Sequence, residues 1–169
     1  AFAAVAAVAQ PGFITGTVRQ APGDQPNSGP PIAGAKVRAS SRSGANGTGT
    51  TDDAGAYSLA LAPDVYDLTV SAFGYETRTI PGITVITDTT RVEHVGLTRA
   101  PTGTLSVSVV EALSGRPVTA TIDILDTPYS TRGDEGAFAL PSGFYTVRAT
   151  RLGYRVAAER VAIRVGERT

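Results

Sequence analysis

Short runs in which apolar and polar residues alternate recur along this chain, and Gly, Pro, Asp or Asn closes each of them. Residues 13–18, 35–40, 66–73, 119–124 and 145–149 are the clearest. Within residues 66–73, Tyr66, Leu68, Val70 and Ala72 fall on one face. A period of two marks a strand with one face in a core. No stretch sustains the 3.6-residue period of an amphipathic helix. Strands at this density predict an all-β antiparallel sandwich, with Tyr57, Tyr66, Leu68, Val70, Phe138, Tyr145 and Val147 in its cores. Residues 20–31 hold four prolines and read as a surface loop, and the small polar residues 41–49 read as a second loop.

The pattern repeats. Asp53-Ala54-Gly55-Ala56-Tyr57-Ser58-Leu59 returns as Asp134-Glu135-Gly136-Ala137-Phe138-Ala139-Leu140, an offset of 81 (134 − 53). Tyr66 with Gly74-Tyr75 returns as Tyr145 with Gly153-Tyr154, an offset of 79 (145 − 66). Thr15-Gly16-Thr17-Val18 is answered by Thr102-Gly103-Thr104-Leu105. An Asp-x-Gly step before an aromatic predicts a tight hairpin, the Gly at positive φ and the ring in the core. The repeat divides the chain into residues 12–98, a hinge at 99–101, and residues 102–169.

Composition removes most chemistries. Glycine and proline number 19 and 11, which favours turns over long helices. Fifteen basic and fifteen acidic residues cancel, so no nucleic-acid surface is expected. With no Cys there is no disulfide framework, thiolate metal cluster or thiol nucleophile. His94 is the one histidine and reads as a strand-face residue rather than a catalyst. Neither H-x-x-E nor H-E-x-x-H occurs, and the glycines match no phosphate-binding fingerprint. Asp52, Asp53, Asp134 and Glu135 read as turn chemistry rather than a calcium site, which needs six or more oxygen ligands. Lys36, the one lysine, has only Asn27 and Asn46 as conceivable isopeptide partners; both read as loop residues, and the bond is not expected. No catalytic residue, cofactor or metal is therefore expected. Asn46-Gly47-Thr48 is a glycosylation sequon in a polar segment.

The order T-G-T-V, P-I-A-G-A-K-V, T-D-D-A-G-A-Y-S-L and P-D-V-Y-D-L-T-V-S-A-F-G-Y resembles the carboxypeptidase regulatory-like domain. The second copy resembles it through S-G-R-P-V-T-A-T-I, D-E-G-A-F-A-L and P-S-G-F-Y-T-V-R-A-T-R-L-G-Y. The resemblance implies tandem transthyretin-like, Ig-like β-sandwiches used as accessory modules of secreted peptidases, transporters and surface proteins.

Both ends of the chain bear on function. In the first copy, residues 91–97 follow as a last strand. At an offset of 79, Thr169 aligns with Thr90, so the second sandwich is expected to lack its last strand. The chain has no Met, which is the expectation for a processed or internal start. Residues 1–9 are all apolar and too few to cross a bilayer. They read either as a signal-peptide tail with Ala7-Val8-Ala9 as its cleavage site, or, within residues 1–11, as a donor strand that completes a neighbour. In the second reading Phe2, Ala4, Val5, Ala6 and Val8 fill a groove edged by Val161, Ala162, Ile163 and Val165. Copies of the chain then join head to tail into an extracellular filament or pilus, with no nucleic-acid partner and no membrane span. The alternative is a non-catalytic binding or spacer module of a larger secreted protein.

Overall fold

A computed structural model describes residues 10–21 and 28–169, and its contacts divide the chain after Arg99 into two compact units. All regular structure among the described residues is β.

The first unit contains β1 (Gly12–Gln20), β2 (Lys36–Ser41), β3 (Asn46–Thr50), β4 (Ala56–Leu61), β5 (Asp64–Ser71), β6 (Arg78–Val85), β7 (Thr90–Val92) and β8 (Val95–Leu97). One sheet runs β3-β2-β5-β6. The other has β1 at its centre, antiparallel to β4 on one side and parallel to β7 and then β8 on the other. Alternation places Ile14, Val18, Val37, Leu59, Tyr66, Leu68, Val70, Val95 and Leu97 between the sheets, all buried. Burying side chains of this kind contributes about 1.5–3 kcal/mol each before ordering costs.

Residues 41–49, expected as a loop, form the end of β2, a turn and β3. The strand lacks a hydrophobic signature because β4 already fills the space beneath it. A Cβ on Gly47 would stand 2.3 Å from the Leu61 side chain, and one on Gly49 2.9 Å from that of Leu59.

The second unit contains β9 (Thr102–Ser108), β10 (Ala120–Ile124), β11 (Ser130–Gly133), β12 (Glu135–Pro141), β13 (Gly143–Thr150) and β14 (Ala157–Ile163). Its sheets are β11-β10-β13-β14 and β12-β9, enclosing Leu105, Ile122, Ile124, Phe138, Leu140, Val147 and Ile163. Of the core positions expected from the pattern, Tyr145 alone is half-buried. Its hydroxyl donates to the Pro141 carbonyl at 3.0 Å, as that of Tyr66 does to Ala62 at 2.9 Å.

Hydrogen bonds correct the sequence alignment of the units. Val18 N donates to Gly55 O, and Val109 N to Asp134 O. Ile32 N donates to Val18 O, and Val118 N to Val109 O. These pairs place Asp134, not Gly136, at the position of Gly55. They also place residues 103–106, not 102–105, on 12–15 and not 15–18. Gly12 and Gly103 share a cause: a Cβ at either would meet a backbone carbonyl, of Ile86 at 2.2 Å or Arg164 at 2.1 Å. The two Asp-x-Gly blocks therefore differ in structure. Gly55 takes φ +74° in a turn where Asp52 Oδ1 accepts from Ala54 N and Ala56 N. Gly136 lies inside β12, because the second unit crosses from β11 to β12 through Asp134 alone.

Candidate functional site

The last strand of the first unit is broken. After β7, Glu93 N still donates to Thr15 O at 2.7 Å, but the Glu93 carbonyl and His94 leave the ladder, and β8 then resumes beside Val18, Arg19 and Gln20. Three contacts hold the break. Gly16 has no Cβ, and one there would lie 1.8 Å from Glu93 O. The buried Tyr57 donates its hydroxyl to that same carbonyl at 2.8 Å. His94 Nδ1 meets Thr17 N at 3.2 Å and Thr17 Oγ1 at 2.9 Å. Burial, followed by the nearby Glu93 charge, pushes the Tyr57 phenol far above its ordinary range, so it stays a donor. His94, expected on a strand face, is instead an exposed residue of this break.

The second unit reproduces only the first half of this arrangement. Thr104 N donates to Glu167 O, and Ser106 N to Thr169 O, with Thr104 paired parallel to Arg168. Arg168 and Thr169 thus hold the places of Thr90 and Arg91. Where β8 lies in the first unit, the second has an open groove of about 510 Å3. Val107 and Val109 line it from β9 and the segment beyond, Val147 and Ala149 from β13, and Ala157 and Val161 from β14. Among the described residues no strand lies on that side of residues 107–110.

This geometry relocates the expected acceptor edge. Because β7 and β8 pair with β1, their equivalents belong beside β9 and not beside Val161, Ala162, Ile163 and Val165. Val161 faces the groove from across the core, Ile163 is buried under β9, and Ala162 pairs with Phe144. Val165 lies past β14, half exposed. The sequence held a signal for this open edge: Leu105, Val107 and Val109 alternate past the end of β9. The expected donor residues Phe2, Ala4, Val5, Ala6 and Val8 lie outside the described residues. Asn46 is exposed at the start of β3, its Nδ2 donating to Gly44 O at 2.7 Å.

No three His, Cys, Asp or Glu side chains come together at a metal-binding spacing among the described residues. No helix among them is long and apolar enough to cross a membrane.

The fold defines an all-β protein in which each unit packs two mainly antiparallel sheets around a core. The carboxypeptidase regulatory-like domain matches residues 13–98, more than half of the chain, and the chain belongs to that family. Comparison with curated proteins found no match. Solved structures similar to it include the minor pilin GBS52 of Streptococcus agalactiae, with 13% identity and a TM-score of 0.45 over 94% of this chain and 92% of that one. The shaft pilin SpaA of Lactobacillus rhamnosus GG is similar at 13% identity and TM-score 0.46, over 95% of this chain and 96% of that one. The Bacillus anthracis TIE protein is similar at 20% identity and TM-score 0.42 over 94% of this chain, which spans only 32% of that protein's length.

Proposed function

We propose that this protein is a structural, non-catalytic subunit of an extracellular filament or pilus, polymerising head to tail by donor-strand complementation. In this reading residues 12–98 and 102–169 are two sandwich domains joined at 99–101. The apolar segment 1–9 of one copy enters the second domain of the next. One observation carries the reading: the groove beside β9, open where the first unit seats the wholly buried Val95 and Leu97. An exposed strand edge above an apolar core is a template for another strand. The ladder satisfies the edge's backbone groups, and each large side chain seated in the groove contributes about 1.5–3 kcal/mol. The contact is heterologous, so it propagates instead of closing.

Deletion of residues 1–9 tests this. The truncated chain is expected to remain folded but fail to assemble, read by electron microscopy and sedimentation. Val8→Asp is expected to weaken assembly in the same way, because an unpaired charge resists burial. Filament formation by the deletion variant returns the protein to the alternative reading, a binding or spacer module of a larger secreted protein.

A further inference from the structure

Resting on the donor-strand reading, the geometry points to a composite closing strand in the second unit, built from two chains laid end to end and both parallel to β9. Residues 167–169 of the subunit itself form its first half. Residues 6–10 of a neighbouring copy form its second half, with Ala6 and Val8 facing inward, Ala7 beside Val110, and Gln10 at Glu111.

The direction follows from the first unit. There both halves of the last strand run parallel to β1, and the second half pairs with Val18, Arg19 and Gln20. The equivalent residues are Val109, Val110 and Glu111, fixed by shared hydrogen bonds. Gln20 N donates to Pro30 O and Glu111 N to Arg116 O, in step with the matching pairs at Val18 and Val109. The bridge between Arg19 and Pro31 has its counterpart between Val110 and Pro117.

A joint between two chains has a natural place here. The first unit's own last strand is already interrupted at Glu93 and His94, so strand continuity is not needed at that point. The residues that shape the interruption are not carried over. Val107 stands where the first unit has Gly16, and Gly136 where it has Tyr57. A Cβ on Gly16 would lie 1.8 Å from the Glu93 carbonyl oxygen, and Val107 carries a Cβ at the equivalent position. A single continuous strand kinked as in the first unit therefore does not fit over β9, whereas a fresh strand entering beyond Thr169 does.

Three features of the groove set the register. The inward positions of Val95 and Leu97 need apolar side chains two residues apart, and Ala149, which lines the groove, stands where the first unit has the larger Val70. The position between them is Gly96, whose carbonyl accepts from Arg78 Nη1 at 3.0 Å. Ala157 stands in place of Arg78, which leaves room for a small side chain such as that of Ala7. Two residues beyond Leu97, Arg99 Nε donates to Gln20 Oε1 at 3.1 Å, and Tyr75 Oη lies 3.5 Å from the same atom. In the second unit Tyr154 Oη donates to Glu111 Oε1 at 3.4 Å, so this acceptor is rebuilt as a carboxylate. Gln10 lies two residues beyond Val8, and its amide is the first side-chain donor in the chain. With Val8 in the Leu97 position, Gln10 reaches the carboxylate, and Ala3, Ala4 and Val5 span the three positions between Thr169 and Ala6.

The chain has no Cys, so paired single-cysteine proteins give a clean test. Full-length A7C protein is co-assembled with full-length V110C protein under mild oxidation. Disulfide-linked pairs on a non-reducing gel are the expected result. Substitution of A6C or V8C for A7C is expected to give at least ten-fold less product, because those side chains face inward while Val110 is exposed. Equal or greater linkage from A6C or V8C overturns the register. Linkage of V110C to A3C in preference to A7C overturns the direction or the stated segment. In all these cases deletion of residues 1–9 still abolishes filaments and the donor-strand reading stands. Absence of any link between A7C and V110C proteins, together with filaments from the deletion variant, removes that reading as well.

Discussion

Asp123 carries a cross-strand contact that neither of its neighbours could make alone. It lies opposite Ser130 on one side and Arg148 on the other. Ser130 Oγ donates to it at 2.7 Å and Arg148 Nη2 at 2.9 Å. These bonds, that from Ser130 foremost, hold the Asp123 carboxyl below the usual carboxylate range. Folding thus favours its charged form. The stabilisation is complete above the unfolded value of about 3.9 and is lost as pH falls through the lower folded value. Urea midpoints taken from about pH 6 down to about pH 2 are expected to show a shallower acid decline for Asp123→Asn than for the parent. The difference is small, because the site is open to solvent. Asp64 sits in a comparable position, held low first by Ser43 and then by Val65 N. Neither acid stood out in the sequence, because the side-chain partners of Asp123 lie 7 and 25 residues away and that of Asp64 lies 21 away, and only the fold brings them together.

Among the elements, the broken closing strand of the first unit tests how much one hydroxyl holds. Tyr57→Phe leaves the ring in the core and strands the Glu93 carbonyl. The expected loss is about 1–3 kcal/mol, the cost of a half-buried acceptor left without its donor. Chemical denaturation measures it, and hydrogen exchange at residues 93–97 is expected to rise first. The strands that alternate most cleanly were legible from the sequence. β3 was not, because glycines are its inner face and the leucines beneath belong to β4. The break at Glu93 and His94 was also hidden, since the residue that permits it, Gly16, lies 77 positions earlier than Glu93 in the chain (93 − 16). The open edge was missed for a related reason: adjacency in sequence suggested that the last strand lies beside β14, whereas residues 167–169 pair with β9 in the other sheet.

For the whole molecule, the two units show how a shared hydrogen-bond frame supports different surfaces. The repeat pointed to a second copy of the strand order, and the backbone hydrogen bonds shift its alignment at β9 and at the turn before β12. It predicted less at turns, where Asp52 and Gly55 build a four-residue reversal and Asp134 alone serves in the second unit. Asn46 remains exposed on a strand and accessible from solvent. We propose it as a glycan acceptor wherever the source cell modifies such sequons, and intact mass spectrometry of native protein reads the added mass directly.

The parallel pairing of β1 with β8 has a mechanical consequence. A chain stretched through the first unit is pulled at the start of β1 and at the end of β8. Neighbouring parallel strands gripped at opposite ends slide along each other, so tension loads their hydrogen bonds together. A hairpin pulled at its open end instead yields one bond at a time. Resistance to force is governed by the unfolding barrier rather than by equilibrium stability. Single-molecule stretching of residues 10–99 is therefore expected to give higher rupture forces when gripped at those two ends than when gripped at Asp64 and Val85, the open end of the antiparallel pair β5 and β6. A strand donated parallel to β9 would give every junction along a filament the same resistance, and such a fibre would hold under pull without a covalent bond between its subunits.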